Sequence, residues 1–179
     1  MDQGFQDSQI AKDAAAFHCP RWAELPGIDL YMDQLTGYIN GVFLPLNGGM
    51  QEGPLLTKAM VNNYVKQHVI ERPNNKKYNK SQLAQLIVIC ALKQVFSIPE
   101  VCVLLRTATD SYPVEQAYDY FCAELEYALE AAFSGVAEPR PDGEGSPGRL
   151  SLLVRRAALA YGSKVYVQKR VQYIWQTRE

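Results

Sequence analysis

Lys58, Asn62 and Lys66 recur at intervals of four, with Asn63 and Gln67 beside them. On a helix that spacing lines them along one face. Amide side chains on an exposed helix face can bond adenine N6 and N7 in a DNA major groove, and lysine can reach guanine or phosphate. Eight residues beyond Lys66, "NNKKYN" offers Lys76, Lys77 and Tyr78 on a candidate turn. Lysines at a turn tip neutralise phosphates and release counterions. A tyrosine hydroxyl there can hold a phosphate oxygen and fix register without reading bases. The chemistry these types could perform is therefore recognition of double-stranded DNA.

Charge distribution points the same way. The 179-residue chain has a formal net charge of -1, which hides four alternating blocks. Residues 1–56 carry -5, residues 57–80 carry +5, residues 81–148 carry -7 and residues 149–179 carry +6. Within 57–80, six basic residues face only Glu71. Such a block locates where an acidic partner could sit. The competing explanations are structural. Lys58 and Lys66 alone could be a solvated helix face, and Tyr64 a core residue whose hydroxyl reaches the surface. Asn62 and Asn63 could bridge within the protein. The basic C-terminal segment could pair with the acidic block, within one chain or between two.

Other chemistries find no support. Cys19, Cys90, Cys102 and Cys122 form no CxxC pair, and three lie in apolar helical patterns, which predicts buried reduced thiols. His18 and His68 are the only histidines, and no metal-ligand spacing surrounds them. There is no nucleophile–base pair, phosphate-binding loop or dinucleotide-binding glycine pattern. We expect no enzymatic activity, metal or cofactor. No apolar run approaches the ~20 residues that span a bilayer. The opening "MDQGFQDSQIAKDAAAF" lacks the basic and apolar regions of a secretory signal. No membrane association and a cytoplasmic location are expected.

The elements that must position these residues follow from local signals. Residues 1–27 read as an N-terminal arm, with Trp22 and Leu25 bracketed by Pro20 and Pro26 as an anchor. Ile28, Met32, Leu35, Ile39 and Val42 predict a first helix over about 28–43. "LPLNGGMQEGP" cannot continue it and reads as a loop. Thr57 is a good N-cap for a second helix running to about Gln67, with Met60, Val61, Tyr64 and Val65 turned inward. Pro73 ends that element, and Asn74 and Asn75 tolerate the left-handed backbone of a tight turn. Asn79 and Gln82 have capping-box spacing ahead of "LAQLIVICALKQVF", a third helix apolar nearly all round and hence buried. Ser97 and Glu100 open a short fourth helix to about Leu105. Pro113 starts a fifth, with Glu115, Asp119, Glu126 and Glu130 on its water side. Residues 135–148 have linker composition. Residues 149–175 fit a helix, although 163–175 also fit strand alternation.

Two helices, a basic turn and a buried helix stand in winged helix-turn-helix order. The block from Thr57 to Leu105 resembles the N-terminal DNA-binding region of MerR-type regulators. The matching residues are Thr57 at the cap, Tyr64 at the recognition-helix tyrosine, Pro73 at the turn and Lys76-x-Tyr78 at the wing. "VFSIPEV" (95–101) matches the junction after the long helix. "PRWAELPGIDLYMDQL" with "VNNYVK" and "KKY" resembles, more closely, an uncharacterised bacterial domain-of-unknown-function family (DUF1836), itself considered MerR-like. The resemblance covers about residues 19–106. Asn62 and Asn63 stand where MerR regulators carry an arginine and an aromatic, and His68 stands where they carry a glycine. No coiled-coil run or clustered-cysteine sensor follows, so effector sensing does not carry over.

The resemblance implies a mainly α fold: a MerR-like winged helix-turn-helix domain with a small β wing over 28–106, then a helical extension over 107–179 that dimerises. It implies a DNA-binding transcriptional regulator, homodimeric, using recognition helix 57–67 and wing 74–78. The site residues expected are Thr57, Lys58, Asn62, Asn63, Tyr64, Lys66, Lys76, Lys77 and Tyr78. The alternative is a non-enzymatic protein-interaction module on the same scaffold.

Overall fold

The structure, a computed structural model, describes residues 3–47, 53–134 and 148–177. It is mainly helical. In chain order come α1 (Gln3–Gln6), α2 (Gln9–Ala15), β1 (Leu30–Tyr31), α3 (Met32–Val42), α4 (Lys58–Lys66) and β2 (Lys77–Tyr78). Then follow α5 (Lys80–Leu92), α6 (Ile98–Ser111), α7 (Val114–Ser134) and α8 (Gly148–Gln176). No helix among the described residues is long and apolar enough to cross a membrane. The linker expected at 135–148 lies almost wholly outside the described residues.

The chain divides into two compact units. One comprises 20–44 and 53–120, the other 1–19, 45–52 and 121–179. The first is built around α5. Leu83, Leu86, Ile87, Ile89, Cys90 and Ala91 are all buried, as a helix apolar nearly all round requires. Leu35, Ile39 and Phe43 from the α3 segment, Val61 and Tyr64 from α4, and Val101 from α6 are buried as well. The capping box at its start forms as the spacing predicts: Asn79 Oδ1 accepts from the Gln82 N–H at 2.9 Å, and Gln82 Oε1 accepts from the Asn79 N–H at 2.8 Å.

Several expectations need correction. The first helix starts at Met32, not Ile28. Ile28 is 72% exposed, and Leu30–Tyr31 is extended, pairing antiparallel with β2 in the register Leu30 to Tyr78 and Tyr31 to Lys77. The fourth helix runs to Ser111 rather than Leu105. The Glu100 carboxylate, which accepts from the Ser97 N–H and hydroxyl at 2.7 Å each, anchors its start. These bonds hold Glu100 below the usual carboxylate range.

The second unit gathers α1, α2, the later part of α7, and α8. Its N-terminal residues are not peripheral: Phe5 is 1% exposed. Its ring lies 6.1 Å from Phe133, 5.6 Å from Tyr166 and 5.4 Å from Tyr173. Residues 163–175 are helical, continuing α8 without a break. Nor is the acidic side of α7 simply solvated. Glu126 accepts the Cys19 N–H at 2.8 Å, and within the first unit Asp119 accepts the Trp22 N–H at 2.6 Å. Those carboxylates satisfy donors that an irregular segment would otherwise leave unpaired.

Candidate nucleic-acid interface

Thr57 caps α4 as its position predicts, accepting the Met60 N–H at 3.2 Å in extended backbone. The stretch before it is pinned to α3. The Asn40 amide donates to the Leu56 carbonyl at 2.9 Å and accepts from the Leu56 N–H at 3.0 Å. Lys93 also donates to the Leu55 carbonyl, and burial lowers its pKa from the ordinary lysine value. α4 therefore starts at a fixed point although a long loop precedes it.

Its inward set is narrower than expected. Val61 and Tyr64 are buried, Val65 is half-buried, and Met60 is 37% exposed. Burial, with Cys90 nearby, pushes the Tyr64 hydroxyl up to about 12. Tyr64 is therefore a core residue of α4. Tyr78 must also be moved inside. It is 2% exposed, and burial raises its pKa. Strand alternation explains this, because Lys77 and Tyr78 are neighbours on β2 and point to opposite faces.

The outward set is Lys58, Asn62, Asn63 and Lys66 on α4, with Lys76 at the turn; all five are exposed. Asn62, Asn63, Lys66 and Lys76 make no side-chain hydrogen bond or ion pair among the described residues. Lys58 differs, since its ammonium pairs with Asp33. Both groups are well exposed, so the pair contributes ~0–1 kcal/mol at most and is readily exchanged.

The turn itself is closed by backbone hydrogen bonds. Asn74 and Lys77 exchange two backbone bonds, N–H to carbonyl, of 3.0 and 2.8 Å. Asn75 and Lys76, at φ +48° and +64°, supply the left-handed pair that such a turn demands. The left-handed residues are thus Asn75 and Lys76, one position later than Asn74 and Asn75. Lys77 lies with its ammonium 5.0 Å from the centre of the Tyr31 ring, and Lys80 5.2 Å from that of Trp22. Tyr31 is 52% exposed, and Arg72 is exposed without a side-chain partner among the described residues. Sequence reasoning missed both. Periodicity absorbs Tyr31 into the first helix, and Arg72 enters only as one of the six basic residues of 57–80. The only signal for Arg72 was the basic block itself.

The end of α4 carries a departure from the expected residue type. The Val69 N–H reaches back to the Tyr64 carbonyl at 2.9 Å and the His68 N–H to the Val65 carbonyl at 3.2 Å. This is a Schellman cap, with His68 in the left-handed position at φ +56°. Glycine is favoured there because a Cβ costs about 1 kcal/mol. His68→Gly should therefore raise the unfolding free energy by about 1 kcal/mol, read as a higher denaturant midpoint at unchanged slope. An unchanged or lower midpoint would show that the imidazole makes compensating contacts. His68, Glu71, Asn79, Ser81, Gln85 and Val114 border an open cleft of about 430 Å³ behind this cap.

Free thiols at Cys19, Cys90 and Cys122 are buried and Cys102 is half-buried. Burial pushes Cys90 up to about 12. Among the described residues no three His, Cys, Asp or Glu side chains are placed to hold a metal ion.

A family model described as "Domain of unknown function (DUF1836)" matches residues 20–121. No curated protein and no solved structure matches the chain.

Proposed function

The chain belongs to the family described as Domain of unknown function (DUF1836), and on that premise we propose that it is a DNA-binding transcriptional regulator with a MerR-like winged helix-turn-helix. It works in the cytoplasm as a homodimer and without enzymatic activity. α4 is the recognition helix, and the turn 74–78 is the wing. One observation carries this reading. Asn62, Asn63, Lys66 and Lys76 project from a capped helix and a hydrogen-bonded turn with no internal partner among the described residues. Uncommitted amides and ammonium groups on regular, hydrogen-bonded elements are what base edges and phosphates require. Lys58 joins the set once it exchanges Asp33 for a phosphate. Thr57 and Tyr64 hold α4 in place, and Tyr78 supports the wing from inside rather than touching DNA.

Titration of genomic fragments at several salt concentrations tests the proposal. The wild type should bind with a steep fall in affinity as salt rises. A Lys76→Glu/Lys77→Glu double variant should lose at least ~10-fold in affinity at low salt and flatten the log–log slope by about two. Asn62→Ala should relax sequence preference by ~1–3 kcal/mol at one base position. No wild-type binding at low salt, or equal binding by the double variant, sinks the proposal.

A second reading has one observation in its favour. Ile28 and Tyr31, both exposed, place apolar area next to the turn. A protein-interaction module would use that patch, bind a protein partner through Tyr31 and show no DNA affinity.

A further inference from the structure

The short strands β1 and β2 sort their side chains by face. In the register Leu30 to Tyr78 and Tyr31 to Lys77, the first pair is buried and anchors the ribbon to the core. Alternation turns the second pair the other way. Tyr31 is 52% exposed, and the Lys77 ammonium lies 5.0 Å from the centre of its ring. The outer face of the ribbon is therefore an aromatic ring with a cation held against it. Lys76, one position before Lys77, is exposed at the turn with no side-chain partner among the described residues.

The same ring stands next to α4. Tyr31 is the N-cap residue of α3, and Asp33, two positions on, pairs with Lys58 at the first position of α4. One ion pair thus ties the end of the ribbon that carries Tyr31 to the start of the proposed recognition helix. We propose that Tyr31 is a further DNA contact: the uncovered part of its ring packs on a deoxyribose of the strand beside α4, while Lys77 meets an adjoining phosphate. A ring with an apolar body and a polar hydroxyl suits a surface on which sugar carbons alternate with anionic oxygens. Such a contact fixes orientation and reads no bases.

Lys77 decides between occupants. An apolar protein surface seated on Tyr31 would strip water from the ammonium beside it and offer no counter-charge, which is costly. A phosphate supplies that charge. Of the two carboxylates within two positions of Tyr31, Asp33 is taken by Lys58, which leaves Asp29 against Lys76 and Lys77. An acidic protein segment could satisfy the same lysines, and crosslinking separates it from DNA.

The inference rests on the DNA-binding reading and adds a residue outside both α4 and the turn. The full chain is titrated with its best-binding genomic fragment and with a random-sequence duplex. Tyr31→Ala should lose about five- to tenfold in affinity on both, with the salt slope unchanged because no charge is removed. Tyr31→Phe should stay within about twofold of the wild type, since the ring makes the contact. Lys77→Ala should flatten the slope by about one. The cap of α3 survives these changes, because it is the Tyr31 backbone N–H that donates to Gln34 Oε1, at 3.0 Å. Tyr31→Gln should show the same loss and serves if circular dichroism finds Tyr31→Ala misfolded. A photoreactive benzophenone amino acid in place of Tyr31 should crosslink to duplex DNA in the presence of polyglutamate. Tyr31→Ala binding both duplexes as tightly as the wild type overturns the inference and leaves the DNA-binding reading standing. A loss confined to the genomic fragment makes Tyr31 a base reader and overturns the sugar contact. Crosslinking to polyglutamate and not to the duplex gives the face to an acidic protein segment and overturns it as well. A wild type that binds no DNA at low salt removes both proposals.

Discussion

Arg155→Met should destabilise the protein by on the order of 3–5 kcal/mol, the range seen when one partner of a buried ion pair is removed. Glu124 is 2% exposed and Arg155 14%, with Nε and Oε2 3.3 Å apart. Removing the guanidinium leaves a carboxylate in the interior, facing a side chain that can donate nothing. Desolvation of that charge, more than the lost attraction, sets the size of the effect. Glu124→Leu/Arg155→Met should lie within about 1 kcal/mol of the wild type, because a buried pair barely outperforms well-packed apolar residues of similar size. Urea unfolding of the two variants separates the cases. If single and double variants are equally unstable, packing of the Arg155 stem governs the site rather than charge.

Gly162→Leu should be comparably severe, and for a purely steric reason. A Cβ at this position would sit 2.7 Å from the Ala128 carbonyl oxygen and 2.9 Å from its carbonyl carbon. These are backbone atoms of α7 and cannot rotate away. Forcing α7 and α8 apart should cost about 3 kcal/mol, the upper part of the usual range for overpacking. Gly162→Ala tests the balance more finely. Alanine gains about 1 kcal/mol in helix propensity, against ~1–3 kcal/mol of overpacking, so a modest net loss is expected. Ala128→Gly should not rescue either variant, since the obstruction is the peptide group and not the methyl. Calorimetric melting of the three single variants and the pairs checks this. A Gly162→Ala variant with a raised melting temperature would refute the argument.

The parts of the fold legible in the sequence are those decided by neighbours in the chain. Thr57, Asn79 with Gln82, and Ser97 with Glu100 start helices through contacts three residues long, and each helix start appears where the residue types place it. The burial of α5 was legible because no face of it is polar. What the sequence concealed depends on distant partners. Ile28 continues the i, i+4 spacing of α3, so periodicity absorbed Leu30 and Tyr31 into the helix; the strand they form exists only because Tyr78 and Lys77 lie alongside. Phe5 stands in a polar segment and is buried by rings more than a hundred positions away. Asp119 and Glu126 look like solvated charges on a helical wheel. Their role emerges only once Trp22 and Cys19 bring backbone donors to them.

The same division holds in the candidate site. The period of α4 displayed Asn62, Asn63 and Lys66 correctly as outward residues, because a helix needs only its own pitch to set direction. It could not place Tyr78. A two-residue strand has no period of its own, and its in–out choice is imposed by the partner strand.

That partner strand also governs when the wing can form. Leu30 and Tyr78 are 48 positions apart, and between them lie α3, the loop and α4. Closing so long a segment carries an entropic cost that grows with its logarithm. Contacts this far apart in sequence are gained late. α4 can assemble on its cap and the Asn40 clasp before β1 meets β2, whereas the strand pairing that anchors the turn at Lys76 must wait for both helices. Pulse-labelled amide exchange during refolding should therefore protect Val61 and Tyr64 before Tyr78, making the wing the slowest piece of the proposed reading head to mature.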